Sequence, residues 1–326
     1  MKLLYLTDTH IRNTNPPVRQ DDFAASLKAK LTEIVALANE LGVEAVLHGG
    51  DFFDLPCPSL SEAGEFLSLF TALRAPVYAV AGNHDVFAYD PGTMGRTMLG
   101  FLARLGHLRL LPQGRAVYLD DGRQRIQLTG THFHRDIDRR DPRLDYCVTK
   151  NDCDVAVHVA HGMLLDAPLE HGPSHTVIAD IAPFTEADVT LGSHAHFGYP
   201  DVHLQGKLFV NPGSVARMSA HPADLVRRPQ VILLDFDAGP LPVATHIPLA
   251  SALPGPQVID PEAGVLAAAC GEALRRLAAG ASAGAPEGAD DLETDLVLQA
   301  KEDGVSPEVV HEALRLLAAA RREVAV

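Results

Sequence analysis

The sequence predicts an α/β fold, with a largely parallel buried sheet, a second sheet packed on it and a small helical extension at the carboxyl end. Three observations predict it. Five apolar, β-branched stretches each run straight into a polar cluster: "KLLYLTDTH" (2–10), "EAVLHGGDFFD" (44–54), "PVYAVAGNHD" (76–85), "DVAVHVAHG" (154–162) and "ADVTLGSHAH" (187–196). Between the first three, apolar residues recur at every third or fourth position, the period of an amphipathic helix. At 326 residues and 47% hydrophobic composition, the chain can bury one large core and still carry a smaller appendage.

The elements follow in order. After the first strand, "DDFAASLKAKLTEIVALANELG" (21–42) reads as a helix, closed by Gly42, the residue type that accepts the left-handed cap. The second strand leads to a second helix, "SLSEAGEFLSLFTALR" (59–74), and then to the third strand. Strand–helix–strand alternation implies right-handed crossovers and a parallel sheet. The stretch 108–130 reads as shorter strands and turns ("LRLL", "RAVYL", "RQRIQLTG"). "KLFV" (207–210), "QVILLDF" (230–236) and "VATHIPL" (243–249) supply the second sheet. Residues 1–250 therefore form the main domain. Residues 251–326 form an acidic, Ala-rich helical extension with helices over 262–279 and 307–323 and a flexible linker near 280–291. Ser306 and Pro307 supply the N-cap and first-turn signals of the last helix.

Composition excludes several classes. The net charge of −15 argues against a broad basic surface for gripping nucleic acid. The acidity is not uniform: residues 251–326 hold 6 Lys and Arg against 13 Asp and Glu. The longest apolar runs fall far short of the ~20 residues needed to span a bilayer. Asp8 and His10 interrupt the amino-terminal apolar run, so no export signal is read there. Cys57, Cys147, Cys153 and Cys270 form no CxxC pair, as in a cytoplasmic protein with reduced thiols.

In a parallel sheet, function gathers at the carboxyl ends of the strands. Each of the five ends here carries Asp, Asn or His. One such cluster is readily explained by turn chemistry; five together are not. The candidates are two carboxylates (Asp8, Asp51), one amide oxygen (Asn83) and four imidazoles (His10, His161, His194, His196). A mixed oxygen and nitrogen set without thiolate suits manganese, iron or zinc rather than a structural zinc site. Seven donors are too many for one transition metal. With one bridging carboxylate they serve two, and two ions ~3.5–4 Å apart can hold a bridging hydroxide and brace both oxygens of a phosphoryl displacement. The spacing of His194 and His196 alone permits one shared ion, two separate ions, or neither. His48 and His158 lie inside apolar strands and read as core histidines.

The set "DTH", "GGDFFD", "GNHD", "AHG" and "SHAH" resembles the calcineurin-like binuclear metallophosphoesterases. "GGDFFD" and "GNHD" look most like their SbcD-type DNA repair nuclease branch. The resemblance covers about residues 1–215 and implies a four-layer α-β-β-α sandwich. It also implies ligand sets: Asp8, His10 and His196 for one metal, Asn83, His161 and His194 for the other, with Asp51 bridging. His84 would face the scissile phosphate, stabilising charge or protonating the leaving oxygen, while Asp85 and Asp54 fix orientation. The implied cofactors are two divalent ions, manganese first, with iron, zinc, cobalt or nickel as alternatives. One departure stands out: Ser193 takes the place of the family's usual glycine.

Outside the metal set, His134, Arg135 and Arg217 are the candidates for substrate contact, and His171 and His175 could form a rim. The reaction class is phosphoester hydrolysis, with two enzyme readings. One is an SbcD-like DNA exo- or endonuclease; the other is a phosphodiesterase or phosphatase acting on nucleotides or another small ester. The acidic balance, the absence of Trp and only 6 Tyr favour the second; "GGDFFD" favours the first. A third reading is a non-catalytic scaffold, against which the full ligand set and His84 argue. The candidate partners are the phosphoester substrate itself, DNA or nucleotide, an SMC-like ATPase docked on the C-terminal helices, and a second copy of the chain; no membrane is involved.

Overall fold

The computed structural model describes residues 1–170, 172–239, 241–262 and 314–315. The expected linker near 280–291, His171, and almost all of the helices expected at 262–279 and 307–323 lie outside the described residues.

Among the described residues fourteen strands appear in chain order: β1 Lys2–Leu6, β2 Ala45–His48, β3 Val77–Ala79, β4 Arg109–Leu110, β5 Val117–Asp120, β6 Arg125–Thr131, β7 Val155–Ala160, β8 Leu164–Leu165, β9 Thr176–Val177, β10 Val189–Gly192, β11 Tyr199–Leu204, β12 Lys207–Asn211, β13 Gln230–Asp235 and β14 Val243–Pro248. They form two six-stranded sheets, ordered β14-β13-β1-β2-β3-β4 and β11-β12-β10-β7-β6-β5, plus the small pair β8-β9. Each large sheet has a parallel centre: β1 to β4 in the first, and β6, β7, β10 and β12 in the second. Antiparallel strands close one edge of the first sheet, whose other edge is the parallel β4, and both edges of the second.

Two expectations are corrected here. The five strand–cluster units do not share one sheet: three lie in the first and two in the second. Residues 230–236 and 243–249, expected in the second sheet, instead extend the first, with β13 antiparallel to β1. The reason is the side-chain pattern of β13, which buries Ile232 and Leu234 between the sheets and Val231 under the helices. A strand buried on both faces fits beside a central strand as well as it fits a new sheet.

The first helix, α1 Phe23–Leu41, begins where the Asp22 carboxylate accepts from Ala25 N and ends at Gly42 with φ 60°. The second, α2 Leu60–Phe70, is capped by Ser59. Both lie on the outer face of the first sheet, burying Phe23, Leu27, Leu31 and Phe66 against Leu4, Leu6 and Val46. The inner faces meet through Leu3, Tyr5 and Leu47 from one sheet and Ile126, Leu128, Val157 and Leu191 from the other. Short helices Arg143–Tyr146 and Ile178–Ile181 cover the outer face of the second sheet through Tyr146, Ile178 and Ile181. The architecture is thus the four-layer α-β-β-α sandwich. A third helix, Met98–Arg104, was not legible in the sequence. Ala252, Val258 and Ile259 are buried, and Ile259 bridges to Arg19, so the boundary placed at 250 does not coincide with a break in packing. Among the described residues no helix is long and apolar enough to cross a membrane.

Candidate metal centre and active site

Register places the donors. Leu6 pairs with His48 and His48 with Ala79 in the first sheet, while Ala160 pairs with Gly192 in the second. Each donor follows within four residues of these aligned ends, so the five loops meet at one edge of the sandwich. Asp8, His10, Asp51 and His194 take positive φ angles of 54°, 43°, 50° and 64°. Asp and His tolerate that region better than most residues, and four such residues in one cluster is the kind of stored strain found at functional sites.

Two donor groups result. Ligand atoms of Asp8, His10, Asp51 and His196 lie within 4.8 Å of one another, and so do those of Asp51, His161 and His194. Asp51 belongs to both. Its Oδ2 lies 3.5 Å from His10 Nε2 and 3.4 Å from His161 Nε2. Asn83 Oδ1 is 3.3 Å from His161 Nε2, and His10 Nε2 is 3.1 Å from His196 Nε2. All seven candidate donors are therefore brought together, Asn83 beside His161.

The chemistry of these atoms fits metal ions. His161 Nδ1 donates to Gly49 O at 2.7 Å, so Nε2 is the ring atom that faces Asn83 Oδ1 and Asp51 Oδ2. One positive charge completes this convergence of nitrogen and oxygen atoms, either the proton of the ring or a metal ion that takes its place. Asp8 Oδ1 and Asp51 Oδ2 are buried without a hydrogen-bond partner, a costly state unless something positive completes them. Electrostatics say the same. Burial opposes the charge on Asp8 and Asp51, yet the surrounding histidines hold both carboxyls below the usual range. Burial also works against a charged His161, but the Asp51 carboxylate overrides it and pushes the ring up to about 9. His194 is driven down to about 4 by burial and by the neighbouring His161.

The supporting residues are also placed. Asp85 is 1% exposed and accepts from the Phe52, Phe53 and Gly82 backbone N–H groups at 3.0, 3.1 and 2.9 Å, clamping the Asp51 turn. Burial and the Asp51 charge raise Asp85 to about 7. Asp54 lies 3.3 Å from His10 Nδ1 and 2.6 Å from Arg12 Nη1. His84 N donates to Asp51 Oδ1 at 2.9 Å, and His84 Nδ1 donates to Asp54 O at 2.8 Å. His84 is 38% exposed and opens onto a cleft of about 290 Å³.

Ser193 resolves without strain. It is fully buried, with Oγ within 2.7 Å of Gly49 O and 2.9 Å of Ala160 O, and 3.1 Å from His161 Nδ1. The position has no positive φ, so it does not require glycine, and the hydroxyl joins the two sheets behind His161.

The expected substrate contacts separate. Arg217 is 2% exposed, and its guanidinium donates to the carbonyls of Arg227 and Leu253. This corrects its expected role, because carbonyl partners inside the fold leave no face for a phosphate. His134 Nε2 is engaged by the buried Asp145 at 2.9 Å, which Arg140 also holds. Arg135 is exposed and reaches Ala88 O at 3.5 Å. His175 accepts from Leu169 N within its own loop. His48 and His158 are buried in the core, as their strands imply. Sequence reasoning missed Met163, Phe197, Ser219, His221 and Asp224, which line the cleft beside His84, His194 and His196. Phe197 and Met163 carried a signal, by closely following His196 and His161; Ser219, His221 and Asp224 come from a distant loop.

A family model described as calcineurin-like phosphoesterase matches residues 1–198. The chain is 30% identical over 254 residues to the DNA double-strand break repair protein Mre11 of Archaeoglobus fulgidus, covering 72% of this chain and 55% of that one. It is 28% identical over 229 residues to the protein of the same name from Halobacterium salinarum, covering 68% and 54%. The chain thus spans about half the length of the curated relatives it matches. Among solved structures, the sulfate thiohydrolase SoxB of Thermus thermophilus in complex with glycerol aligns at a TM-score of 0.46 and 15% identity, over 78% of this chain and 57% of that one. With more than half its length matched by the family model and the donors in one cluster, the chain belongs to the calcineurin-like phosphoesterase family.

Proposed function

We propose that this chain is a phosphodiester hydrolase dependent on two divalent metal ions, manganese first, and that it cuts DNA as an exo- or endonuclease of the SbcD and Mre11 kind. The observation that carries the reading is Asp51, whose carboxylate stands between two groups of converging nitrogen and oxygen donors beside an open cleft. Asp8, His10 and His196 would hold one ion, Asn83, His161 and His194 the other, and Asp51 both. When bound, such a pair lowers the pKa of a water and neutralises charge on the phosphoryl oxygens. The protein's own groups do the rest. Asp54 O accepts the His84 Nδ1 proton, which fixes the ring and leaves Nε2 to hold or pass a proton at the leaving oxygen. Asp85 and the His84 backbone N–H keep the Asp51 carboxylate in register. The names of the relatives support DNA as substrate; an SMC-like ATPase, a second copy of the chain and a cytoplasmic location belong to the same reading.

A second reading, hydrolysis of nucleotides or other small phosphoesters, is favoured by one observation, the net charge of −15. A panel of DNA ends, cyclic nucleotides and phosphomonoesters under manganese decides between them. His84→Ala should abolish turnover on the preferred substrate while both ions remain in metal analysis. Cleavage of none of the panel with any divalent ion would overturn the catalytic reading in favour of a scaffold.

A further inference from the structure

We propose that Phe197 and His221 form a stacking wall for an unpaired nucleobase beside the phosphoester cleft, an inference that rests on the phosphodiesterase reading above. The two rings are stacked, with centroids 5.4 Å apart and planes at 25°. Both line the same cleft as Asp51, Asn83, His84, His194 and His196. A group bound next to the scissile phosphate therefore meets an aromatic face.

The wall is rigid for identifiable reasons. Phe197 follows the donor His196 and precedes Gly198, whose φ is +64° and whose Cβ position would fall 2.7 Å from Asn211 O and 2.8 Å from Gly213 N. Only glycine lets the backbones cross so closely, and the crossing fixes where Phe197 stands. His221 arrives 24 positions later and is held by its own turn. Its Nδ1 accepts from Ala223 N at 3.2 Å, its N–H donates to Ser219 Oγ at 3.3 Å, and Ser219 Oγ donates to Asp224 Oδ2 at 2.7 Å. Arg227 Nε donates to Asp224 Oδ1 at 2.6 Å, which neutralises the one carboxylate on this rim of the cleft. Yet His221 is exposed and Phe197 only half-buried. A pair made solely for packing would be covered.

Charge points the same way. A chain of net charge −15 does not hold a polyanion by many phosphate contacts. Stacking supplies affinity that is independent of charge and tolerant of base identity. A base inside a duplex has both faces covered by its neighbours, so the wall selects single strands, frayed ends or free nucleotides.

Two chromogenic esters with the same leaving group and the same sugar isolate the base: thymidine 5′-(p-nitrophenyl phosphate) and its abasic counterpart, which carries hydrogen in place of thymine, each assayed with manganese. The wild type should prefer the thymidine ester, and His221→Ala or Phe197→Ala should lower that preference about tenfold, mainly through KM. His221→Phe, which keeps an aromatic face, should restore it. Equal losses on both esters, or an undiminished preference, would overturn the wall while leaving the phosphodiesterase reading intact. Hydrolysis of neither ester would overturn the reading itself. In that case binding decides the wall: wild type that takes up thymidine 5′-monophosphate no more tightly than ribose 5-phosphate, measured by calorimetry, refutes it.

Discussion

Asp51 divides its carboxylate between two duties. Oδ1 accepts the His84 N–H at 2.9 Å, whereas Oδ2 faces His10 and His161 at 3.5 and 3.4 Å. The neighbours His194 and His196, only two positions apart, lie on opposite sides of that carboxylate, one in each donor group. In the proposed reading His194→Ala and His196→Ala should each lose one ion, and not the same one. Metal analysis of the two variants checks this, and loss of the same ion by both would sink the assignment. Away from the cleft, two buried histidines carry the acid response. Burial drives His132 and His158 each down to about 4. His158 is held neutral by Thr129 Oγ1 at Nδ1 and Asp145 O at Nε2, and His132 Nδ1 accepts from Ala81 N. Their folded values lie below the ordinary 6.5, so only the unfolded chain takes up these protons as pH falls from about 6.5 to 4. Stability should drop in that window by roughly 1.4 kcal/mol per pH unit and group. Urea midpoints at pH 7 and pH 5 measure it, and His158→Gln should flatten the slope.

The site is built from strand ends rather than from helices, and its tolerances are those of strand ends. Gly82 follows β3, and a Cβ there would collide with Oδ1 and the backbone N of Asp51. Gly82→Ala should therefore empty both metal positions while the far-ultraviolet circular dichroism stays that of the wild type; metal content measured against that spectrum tests it. At this scale much was legible. The strand-to-cluster pattern picked out the candidate donors that the fold brings together, because β-branched runs ending in Asp, Asn or His need no tertiary information to be recognised. The carboxyl end of α1 followed from Gly42, whose capping chemistry is local. What stayed hidden depends on distant partners: which sheet β13 joins, and which loop brings Phe197 to His221 across 24 positions. Arg217 misled for the same reason. An Arg beside a turn reads as exposed, and only the fold shows that Leu253 and Arg227 surround it.

For the molecule as a whole, charge sets how it meets a substrate. With a net −15, few phosphates can be neutralised by side chains, and each one neutralised on duplex DNA contributes about 0.9 to the salt slope. In the proposed reading, binding of DNA in the presence of calcium should then show a log–log slope of about 3 or less, read by titration between 50 and 200 mM salt; a slope near 6 or above would show that a local basic surface, and not the net charge, governs binding. The two-sheet layout has one more consequence. Tyr5 Oη donates to Gly192 O at 2.7 Å, and Ser193 and His161 both reach Gly49 O, so the layers are already stitched at this edge. Each donor group draws from both layers, Asp8, His10 and Asp51 with His196 in one, Asp51 with His161 and His194 in the other. An ion bound in either group would therefore act as a rivet through the seam between the sheets, and sliding one layer on the other would pull each donor group apart before it broke any strand. The hydrophobic contact between the sheets, far from the cleft, is thereby the gauge that keeps the two halves of each donor group facing one another.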